Sequence, residues 1–276
     1  RAPCTADGRE ILAEVTVAPL PSLFGRGATI AVQDRSVAEE AEQMRRDFVA
    51  NVSHELKTPL TAMTGFIETL RGPARDDVRA RDRFLDIMER EAGRMNRLIS
   101  ELLSLSRVQA EERSRPSGLV DLPGLLRGIL AMLAPRAEAA GVEVVTEGLD
   151  RALRVPGDGD QLTQVFQNLI ENAIQYNIPE NGWVSVHTAP SGNSVELVVE
   201  NTGPIVPAHE VPGLFEPFRR LAATDRLAGA TRSPIARGAG LGLSIVRSVA
   251  HTHGGEVEAM PREGGGLTVR VRFPAA

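Results

Sequence analysis

Length and composition exclude several classes of protein. With 276 residues the chain exceeds the usual size of one domain, and 42% hydrophobic with 24% charged residues is typical of a protein with a packed core. The formal net charge of -5, with Lys and Arg dispersed along the sequence, gives no reason to expect nucleic acid as a partner. A single cysteine, Cys4, excludes an intrachain disulfide, and the sequence has no Cys/His cluster with metal-binding spacing.

The sequence shows neither a membrane span nor an export signal. No apolar run approaches the ~20 residues needed to cross a bilayer. The first residues, RAPCTADGRE, contain neither a signal peptide nor an initiator methionine. We therefore expect a cytoplasmic polypeptide that is part of a longer one, with membrane contact only through a segment upstream.

The N-terminal residues predict a β-hairpin. Residues 9–20 partly alternate apolar with polar side chains, and residues 28–36, ATIAVQDRS, follow a glycine-containing turn. Because two strands alone are only marginally stable, we expect them to belong to a larger sheet. The stretch resembles the last strands of a PAS sensor domain, and a generic hairpin is the alternative. We assign residues 1–36 to such a partial sensor domain and its linker.

Two long amphipathic helices are predicted next. From Val37 to Leu70 apolar residues recur at steps of three and four, and the sequence RGPARDD then ends the pattern. A second helix is predicted from Val78 to Glu112. The two helices should form an antiparallel hairpin, but one hairpin leaves much of each apolar stripe uncovered. We therefore expect a homodimer, in which a second chain completes a four-helix bundle over residues 37–115.

The remainder of the chain predicts a separate α+β domain. The sequence RSRPSG, residues 113–118, has the composition of a linker. Beyond it, antiparallel strand pairs with helices favour one sheet backed by helices over a doubly wound parallel sheet. We assign residues 118–276 to this domain. Helices are expected at 123–139, 160–176 and 241–253, and strands at 142–147, 183–188, 194–200, 255–260 and 266–273.

His54 lies off the apolar stripe of the first long helix. It follows Val52 by two residues, about 200° around a helix, so its side chain should face away from the stripe. The carboxylate of Glu55 can accept a proton from the imidazole and leave the other ring nitrogen as a nucleophile. Thr58 lies one turn along, where its hydroxyl can position a water. The alternative is an exposed, charge-rich surface with a kink at Pro59.

The segment FVANVSHELKTPLTAMTGFIETL resembles the H box of bacterial two-component sensor histidine kinases over more than twenty residues. The resemblance implies that His54 accepts a phosphoryl group within a dimeric helical hairpin, with Glu55 as the general base. The spacing of Thr58 predicts a second activity, dephosphorylation of the response regulator. We expect the chain to belong to the PAS-containing, phosphate-sensor-like class of these kinases.

A nucleotide site is then needed in the α+β domain, which has no Walker-type phosphate loop. In QLTQVFQNLIENAIQYN, Asn168 and Asn172 lie four residues apart, so both amides project from one helical face as hard oxygen ligands for Mg²⁺. The alternative is two solvent-exposed or capping asparagines. The stretch resembles the N box of GHKL ATPases, which implies Asn172 as the metal ligand, Asn168 as a supporting one and Tyr176 against adenine. The family often has a lysine or arginine where this sequence has Gln175, so another donor must supply that charge.

The sequence VVENTGPIVP resembles the G1 box, in which an aspartate accepts a hydrogen bond from the adenine amino group. Asn201 stands at the aspartate position and Gly203 at the first glycine, whereas Ile205 replaces the second glycine. Asparagine keeps a carbonyl acceptor but without the strength that a charge adds. The loss of a glycine reduces backbone freedom at that point.

Two further motifs complete the expected site. VPGLFEPFRR resembles the F box, with Phe215 and Phe218 anchoring a lid over residues 221–237 that nucleotide orders. RGAGLGLSIVRSVAHTHGG resembles the G2 box, where glycines let backbone N–H groups approach a polyphosphate at a helix N-terminus. The residues of this phosphate cradle are Gly238, Gly240, Leu241 and Gly242.

Together these motifs imply a Bergerat-type α/β sandwich that binds Mg·ATP, phosphorylates His54 and passes the phosphoryl group to an aspartate of a response-regulator receiver domain. Two alternatives remain open. One is a GHKL ATPase that does not phosphorylate histidine, and the H box argues against it. The other is a catalytically weak or silent signalling scaffold, which the departures at Gln175, Asn201 and Ile205 favour.

Overall fold

The fold is described from a computed structural model, which places residues 2–6, 9–22, 25–111, 116, 118–219 and 239–276. The predicted lid and Gly238 lie outside these residues, as does most of the predicted linker. The chain divides into two compact units, residues 1–58 and 59–276. Within the described ranges, no helix has both the length and the apolar character needed to cross a bilayer.

The first unit contains a three-stranded antiparallel sheet and the beginning of a long helix. The strands are β1 (Ala2–Ala6), β2 (Arg9–Ser22) and β3 (Gly25–Asp34), in the order β1-β2-β3. The predicted hairpin is confirmed as β2 and β3. β1 was not predicted, because five residues are too few to show an alternating pattern, but it adds the third strand that a stable sheet needs.

A compact junction joins β3 to the first helix, α1 (Ser36–Arg71). The backbone N–H of Ser36 donates to Asp34 Oδ1 at 2.9 Å, and the Ser36 hydroxyl accepts from Leu12 N at 2.8 Å. Hydrogen bonds from Ser36 hold the pKa of Asp34 below its ordinary value. The start of α1 is therefore tied to β2 as well as to β3.

α1 and α2 (Val78–Glu111) are the two predicted long helices, with bounds within one residue of those expected. In the second unit, Phe66 of α1 stacks on Phe84 of α2 with ring centroids 5.2 Å apart. The carboxylate of Asp77 accepts from Ala80 N at 3.0 Å and caps α2. Leu60 and Ile67 of the predicted apolar stripe are 56% and 42% exposed, so a single chain leaves part of the stripe uncovered.

The remaining elements form one α/β domain. The sheet order is β5-β7-β8-β10-β9, with β5 and β7 parallel and the other pairs antiparallel, while β4 and β6 form a separate pair. The strands are β4 (Leu119–Asp121), β5 (Val142–Glu147), β6 (Arg154–Pro156), β7 (Gly182–Ser191), β8 (Ser194–Asn201), β9 (Glu256–Pro261) and β10 (Leu267–Pro274). The helices are α3 (Leu122–Ala140), α4 (Gly159–Gln175) and α5 (Gly242–Thr252), with a 3₁₀ helix at Ala208–Phe215. The expected α+β class is confirmed.

The helices α3, α4 and α5 cover one face of the sheet. Every second residue along most of β7 and all of β8 is buried, as expected for strands with one face in the core. α4 is the central helix, since it packs against both α3 and α5. Its buried residues are Leu162, Val165, Phe166, Leu169, Ile170, Ala173 and Ile174.

Both ends of α4 are fixed by hydrogen bonds. At the N-terminus, Asp158 accepts from Asp160 N and Gln161 N at 2.8 and 3.0 Å. The N–H of Asp158 itself donates to Nε2 of buried His253, at 3.0 Å, so α4 is tied to the end of α5. At the C-terminus, Tyr176 N donates to Asn172 O at 2.9 Å. These bonds fix the height and rotation at which α4 presents its side chains.

Candidate functional site

In the first unit, His54 is exposed on α1, as its helical phase predicts. Glu55 is half-buried and Thr58 is exposed. The Thr58 hydroxyl donates to the backbone carbonyl of His54 at 3.1 Å. Its oxygen lone pairs therefore still have the capacity to accept a hydrogen bond from a water. The catalytic roles of these three residues remain predictions.

In the second unit, the structure brings the two asparagines of α4 to the start of α5. Asn168 Nδ2 donates to Gly242 O at 3.4 Å. A Cβ atom on Gly242 would lie 3.3 Å from Asn172 Nδ2 and 3.6 Å from Asn168 Cγ. The absence of a side chain at Gly242 thus keeps open the space that both amides line. The N-box and G2-box residues, although about 70 positions apart in sequence, belong to one site.

This space suits a hard cation that also binds phosphate. Asn168 and Asn172 offer neutral amide oxygens, which Mg²⁺ accepts alongside phosphate oxygens and water. The described residues contain no group of three or more His, Cys, Asp or Glu side chains that could hold a metal ion. The two amide oxygens fit Mg²⁺ that arrives with a polyphosphate.

The start of α5 is organised for backbone contacts. Gly240 has φ +80°, and its carbonyl accepts from Phe218 N at 2.9 Å, so the chain on either side of residues 220–238 is joined. Leu241 is fully buried, so its side chain packs in the core and does not face a ligand. Gly242 is the first residue of α5, where unpaired N–H groups and the helix dipole favour an anion.

Asn201 closes the other side of the site, at the end of β8. It is only 8% exposed, and its Nδ2 donates to Thr202 O at 2.7 Å. The bond uses the amide N–H, so Oδ1 is the atom with acceptor capacity for a base amino group. Gly203 follows, and a Cβ atom there would lie 2.8 Å from Tyr176 O. The loop therefore approaches the end of α4 more closely than any other residue would permit.

The replacement of the second G1-box glycine by Ile205 causes no backbone strain. Ile205 is 76% exposed, and it is not among the described non-glycine residues with positive φ, which are Asn181 and Phe218. A glycine is therefore not required at this position for the backbone to follow its path. The expected loss of backbone freedom has no structural consequence here.

The positively charged side chain of Arg136 lies beside Gln175, at the position where the family often has a lysine or arginine. Arg136 Nη2 donates to Gln175 Oε1 at 3.5 Å, and Arg136 Nη1 pairs with Glu171 Oε2 at 3.2 Å. Sequence reasoning missed this residue, because Arg136 belongs to α3 and to no motif. Only the packing of α3 against α4 brings its charge to the last turn of the N-box helix.

Sequence reasoning also missed the network that supports Asn201. The Thr202 hydroxyl donates to Asn177 Oδ1 at 2.6 Å and accepts from Trp183 N at 2.8 Å. Asn177 Nδ2 in turn donates to Trp183 O at 3.0 Å. These bonds connect the end of α4 to β7 and to the loop after β8. The position of Thr202 between Asn201 and Gly203 was the one available signal.

Comparisons with known proteins agree with this arrangement. Residues 44–111 match the family model of the His Kinase A (phospho-acceptor) domain, and residues 157–276 match that of the histidine kinase-, DNA gyrase B- and HSP90-like ATPase. Sensor protein CutS of Streptomyces coelicolor is 39% identical over 236 residues, which are 86% of this chain and 54% of CutS. Sensor-like histidine kinase SenX3 of Mycobacterium tuberculosis is 36% identical over 250 residues, covering 91% of this chain and 58% of SenX3. The chain thus spans just over half the length of these relatives.

Solved structures share the fold. Histidine kinase ThkA, solved in complex with response regulator protein TrrA, gives a TM-score of 0.64 at 23% identity over 99% of this chain and 78% of ThkA. Full-length ShkA in complex with AMPPNP gives a TM-score of 0.59 at 26% identity, over 85% of this chain and 46% of ShkA. A phospho-acceptor helical hairpin and an ATPase domain of this type occur together here, in the same order as in the relatives. The chain belongs to the bacterial two-component sensor histidine kinases.

Proposed function

We propose that this chain phosphorylates His54 with the γ-phosphoryl group of ATP and then transfers that group to an aspartate of a response-regulator receiver domain. The observation that carries the proposal is the convergence of Asn172, Asn201 and the Gly242 helix start on one site, in a chain that also exposes His54 on a matched phospho-acceptor helix. Because ATP and receiver domains are found in the cytoplasm, we place this part of the protein there.

In the proposed reaction a phosphoryl group passes from ATP to the imidazole of His54 and then to an aspartate carboxylate. A neutral imidazole nitrogen attacks the γ-phosphorus, the bond to the β,γ-bridging oxygen breaks, and ADP leaves. Glu55 accepts the proton from the other ring nitrogen, which neutralises the imidazolium as it forms. In the second step the aspartate carboxylate of the receiver takes the phosphoryl group and His54 is restored.

The α/β domain supplies position and charge for this reaction. Oδ1 of Asn201 accepts from the adenine amino group, and backbone N–H groups at the start of α5 receive the phosphates. Asn172, supported by Asn168, would hold Mg²⁺, which neutralises charge on the phosphates when bound. Tyr176 is assigned to the adenine side, because its carbonyl lies against Gly203. Arg136 adds positive charge near Gln175.

The proposed assembly is a homodimer through the helical hairpin. Support comes from the phospho-acceptor family match and from the exposed apolar residues Leu60 and Ile67 on α1. A second hairpin would cover these side chains in a four-helix bundle. A PAS-like assignment for the sheet of residues 2–34 remains part of the proposal, as do the domain limits 1–36, 37–115 and 118–276.

Labelling with γ-labelled ATP and magnesium tests the function against its two alternatives. The proposal predicts protein-bound label that resists alkali, is lost in acid and is absent from His54→Ala. Release of free phosphate without protein label would instead support a GHKL ATPase. A chain that shows neither outcome would be a signalling scaffold.

Thr58 is proposed to assist removal of phosphate from the regulator. Thr58→Ala should keep autophosphorylation and lose about ten-fold or more of the regulator dephosphorylation rate, because the water loses its positioning group. Decay of a purified phosphorylated regulator, with and without the chain, measures this activity. Thr64→Ala is the matched control, since Thr64 makes the same hydroxyl bond, to Leu60 O. An unchanged dephosphorylation rate in Thr58→Ala would remove this role.

A further inference from the structure

The turn between β9 and β10 lies against the loop that carries Asn201. Gly266 N donates a hydrogen bond to Pro204 O at 2.9 Å. A Cβ atom on Gly266 would collide with Asn201 O, and one on Gly265 would collide with Gly203 O. The two backbones are therefore in direct contact at the point where the base-reading loop leaves β8.

Arg262 connects this turn to its surroundings. Its Nε pairs with Glu200 Oε1 at 2.8 Å, and its Nη1 donates to Gly265 O at 3.1 Å. Its Cζ also lies 4.7 Å from the centroid of the Trp183 ring, in a cation–π contact. The half-buried guanidinium of Arg262 thus contacts Glu200 on β8, Gly265 in the turn and Trp183 on β7.

Trp183 connects Arg262 to Thr202, the residue that follows Asn201. Thr202 N donates to Trp183 O at 3.1 Å, and Trp183 N donates to the Thr202 hydroxyl at 2.8 Å. Of the two sequence neighbours of Asn201, Glu200 therefore pairs with Arg262 directly, and Thr202 is bonded to Trp183, which Arg262 contacts. Displacement of the guanidinium would relax the backbone on both sides of the base-reading amide.

We propose that Arg262 and the turn 262–266 are positioning elements for adenine recognition, which set the place of Asn201 Oδ1 and of the Gly203 backbone. The inference rests on the proposed ATP site and assigns it a support that none of the nucleotide-binding motifs contains. A planar, five-donor guanidinium suits this role, because it can pair with a carboxylate, donate to a carbonyl and stack on an indole at once.

The test compares the binding of ATP, ADP and inosine triphosphate to the whole chain by calorimetry. Inosine lacks the amino group that Asn201 would accept from, so it reports binding without base recognition. Arg262→Gln should weaken ATP and ADP by the same factor, about ten-fold, because one base hydrogen bond is misplaced while phosphate contacts remain. Inosine triphosphate binding should change little. Arg262→Lys, which keeps the charge but not the fork of donors, should lose about three-fold.

Arg272→Gln is the matched control. Arg272 makes a similar ion pair on the same sheet, from its Nε to Glu196 Oε2 at 2.9 Å, and its side chain is 34% exposed against 26% for Arg262. Loss of either pair should lower thermal stability to a similar extent. Only the Arg262 variant should narrow the preference for ATP over inosine triphosphate.

Two outcomes would overturn the inference. If Arg262→Gln lowers the melting temperature like Arg272→Gln but keeps the wild-type preference for ATP, Arg262 only stabilises the sheet. If the wild-type chain binds none of the nucleotides, the proposed ATP site itself fails and the inference falls with it. The wild-type measurement separates these cases.

Discussion

One carbonyl oxygen, Oδ1 of Asn201, distinguishes adenine from other bases in the proposed site. Asn201→Ala should weaken ATP binding about ten-fold and leave inosine triphosphate binding nearly unchanged, because alanine offers no acceptor for the amino group. Calorimetric titration with both nucleotides measures this difference. Asn193→Ala, in the exposed turn between β7 and β8, is the control and should bind both as the wild type does. An equal loss for both nucleotides would show that Asn201 supports the loop without recognising the base.

A second residue, His253, should make the stability of the α/β domain depend on pH. Burial lowers the pKa of His253 from its ordinary 6.5, against opposing effects of its hydrogen bond to Val249 O and of the charge of Asp158. The folded state therefore prefers the neutral ring, in which Nδ1 donates to Val249 O and Nε2 accepts from Asp158 N. Stability is fully present above the unfolded value near 6.5 and is lost as pH falls through the lowered pKa.

Urea unfolding between pH 8 and pH 5 tests this dependence. His253→Gln should show a shallower loss of unfolding free energy below about pH 6.5, because the amide does not titrate. His251→Gln, on the exposed side of the same helical turn, should keep the wild-type slope. Identical slopes for His253→Gln and the wild type would contradict the assignment.

At the residue scale, the sequence predicted what depends on local geometry and missed what depends on packing. The exposure of His54 follows from helical phase alone, and the shared face of Asn168 and Asn172 follows from their spacing. Arg136 and Arg262 were not predicted, because each acts on a residue at least 35 positions away in sequence. Their roles appear only once α3 packs on α4 and β9 pairs with β10.

At the scale of elements, the contact between α2 and α4 contains a repulsive pair. Burial raises the pKa of Glu101 on α2, the neighbouring Arg97 lowers it, and Glu171 on α4 raises it further. A hydrogen bond between Ser104 and Gln164 joins the same two helices. The packing of α2 against α4 therefore holds the carboxylate of Glu101 near the like charge of Glu171.

Glu101→Gln should accordingly raise the melting temperature at pH 7 by about 2 °C. A carboxyl with a raised folded pKa penalises the fold above that pKa, and the penalty disappears as pH falls toward the ordinary 4.5. The gain should therefore shrink as the pH is lowered from 7 to 5. Thermal melts at both pH values measure it, with Glu89→Gln, exposed on α2, as the control. A lower melting temperature for Glu101→Gln at pH 7 would show that the contact uses the charge.

The long elements were predictable, whereas the strands of five residues or fewer were not. The periodicity of α1 and α2 extends over more than thirty residues each, so their bounds were predicted within one residue. β4 and β6 have three residues each, too few for a pattern, and are held by pairing with each other. The parallel pairing of β5 with β7 was also not predicted, because sequence shows strands but not the direction in which distant strands pair.

At the scale of the whole molecule, the presence of both matched domains in one chain supports the proposed reaction. In the proposed reaction the matched phospho-acceptor helix would carry the nucleophile, and the matched α/β domain would carry the nucleotide site. Phosphoryl transfer needs both, so neither domain alone should modify His54. The sequence motifs predicted that phosphoryl acceptance and ATP binding belong to separate domains, since each motif resembles one part of the same enzyme family.

Direct mapping of the phosphoryl group tests this claim most sharply. The chain is incubated with magnesium and ATP, digested with trypsin at neutral pH, and peptide 47–57, DFVANVSHELK, is fragmented under conditions that retain phosphohistidine. The predicted result is one phosphoryl group on His54, sensitive to acid and absent from an Asn172→Ala chain. A phosphoryl group on Ser53, or an unmodified peptide in a chain that consumes ATP, would contradict it.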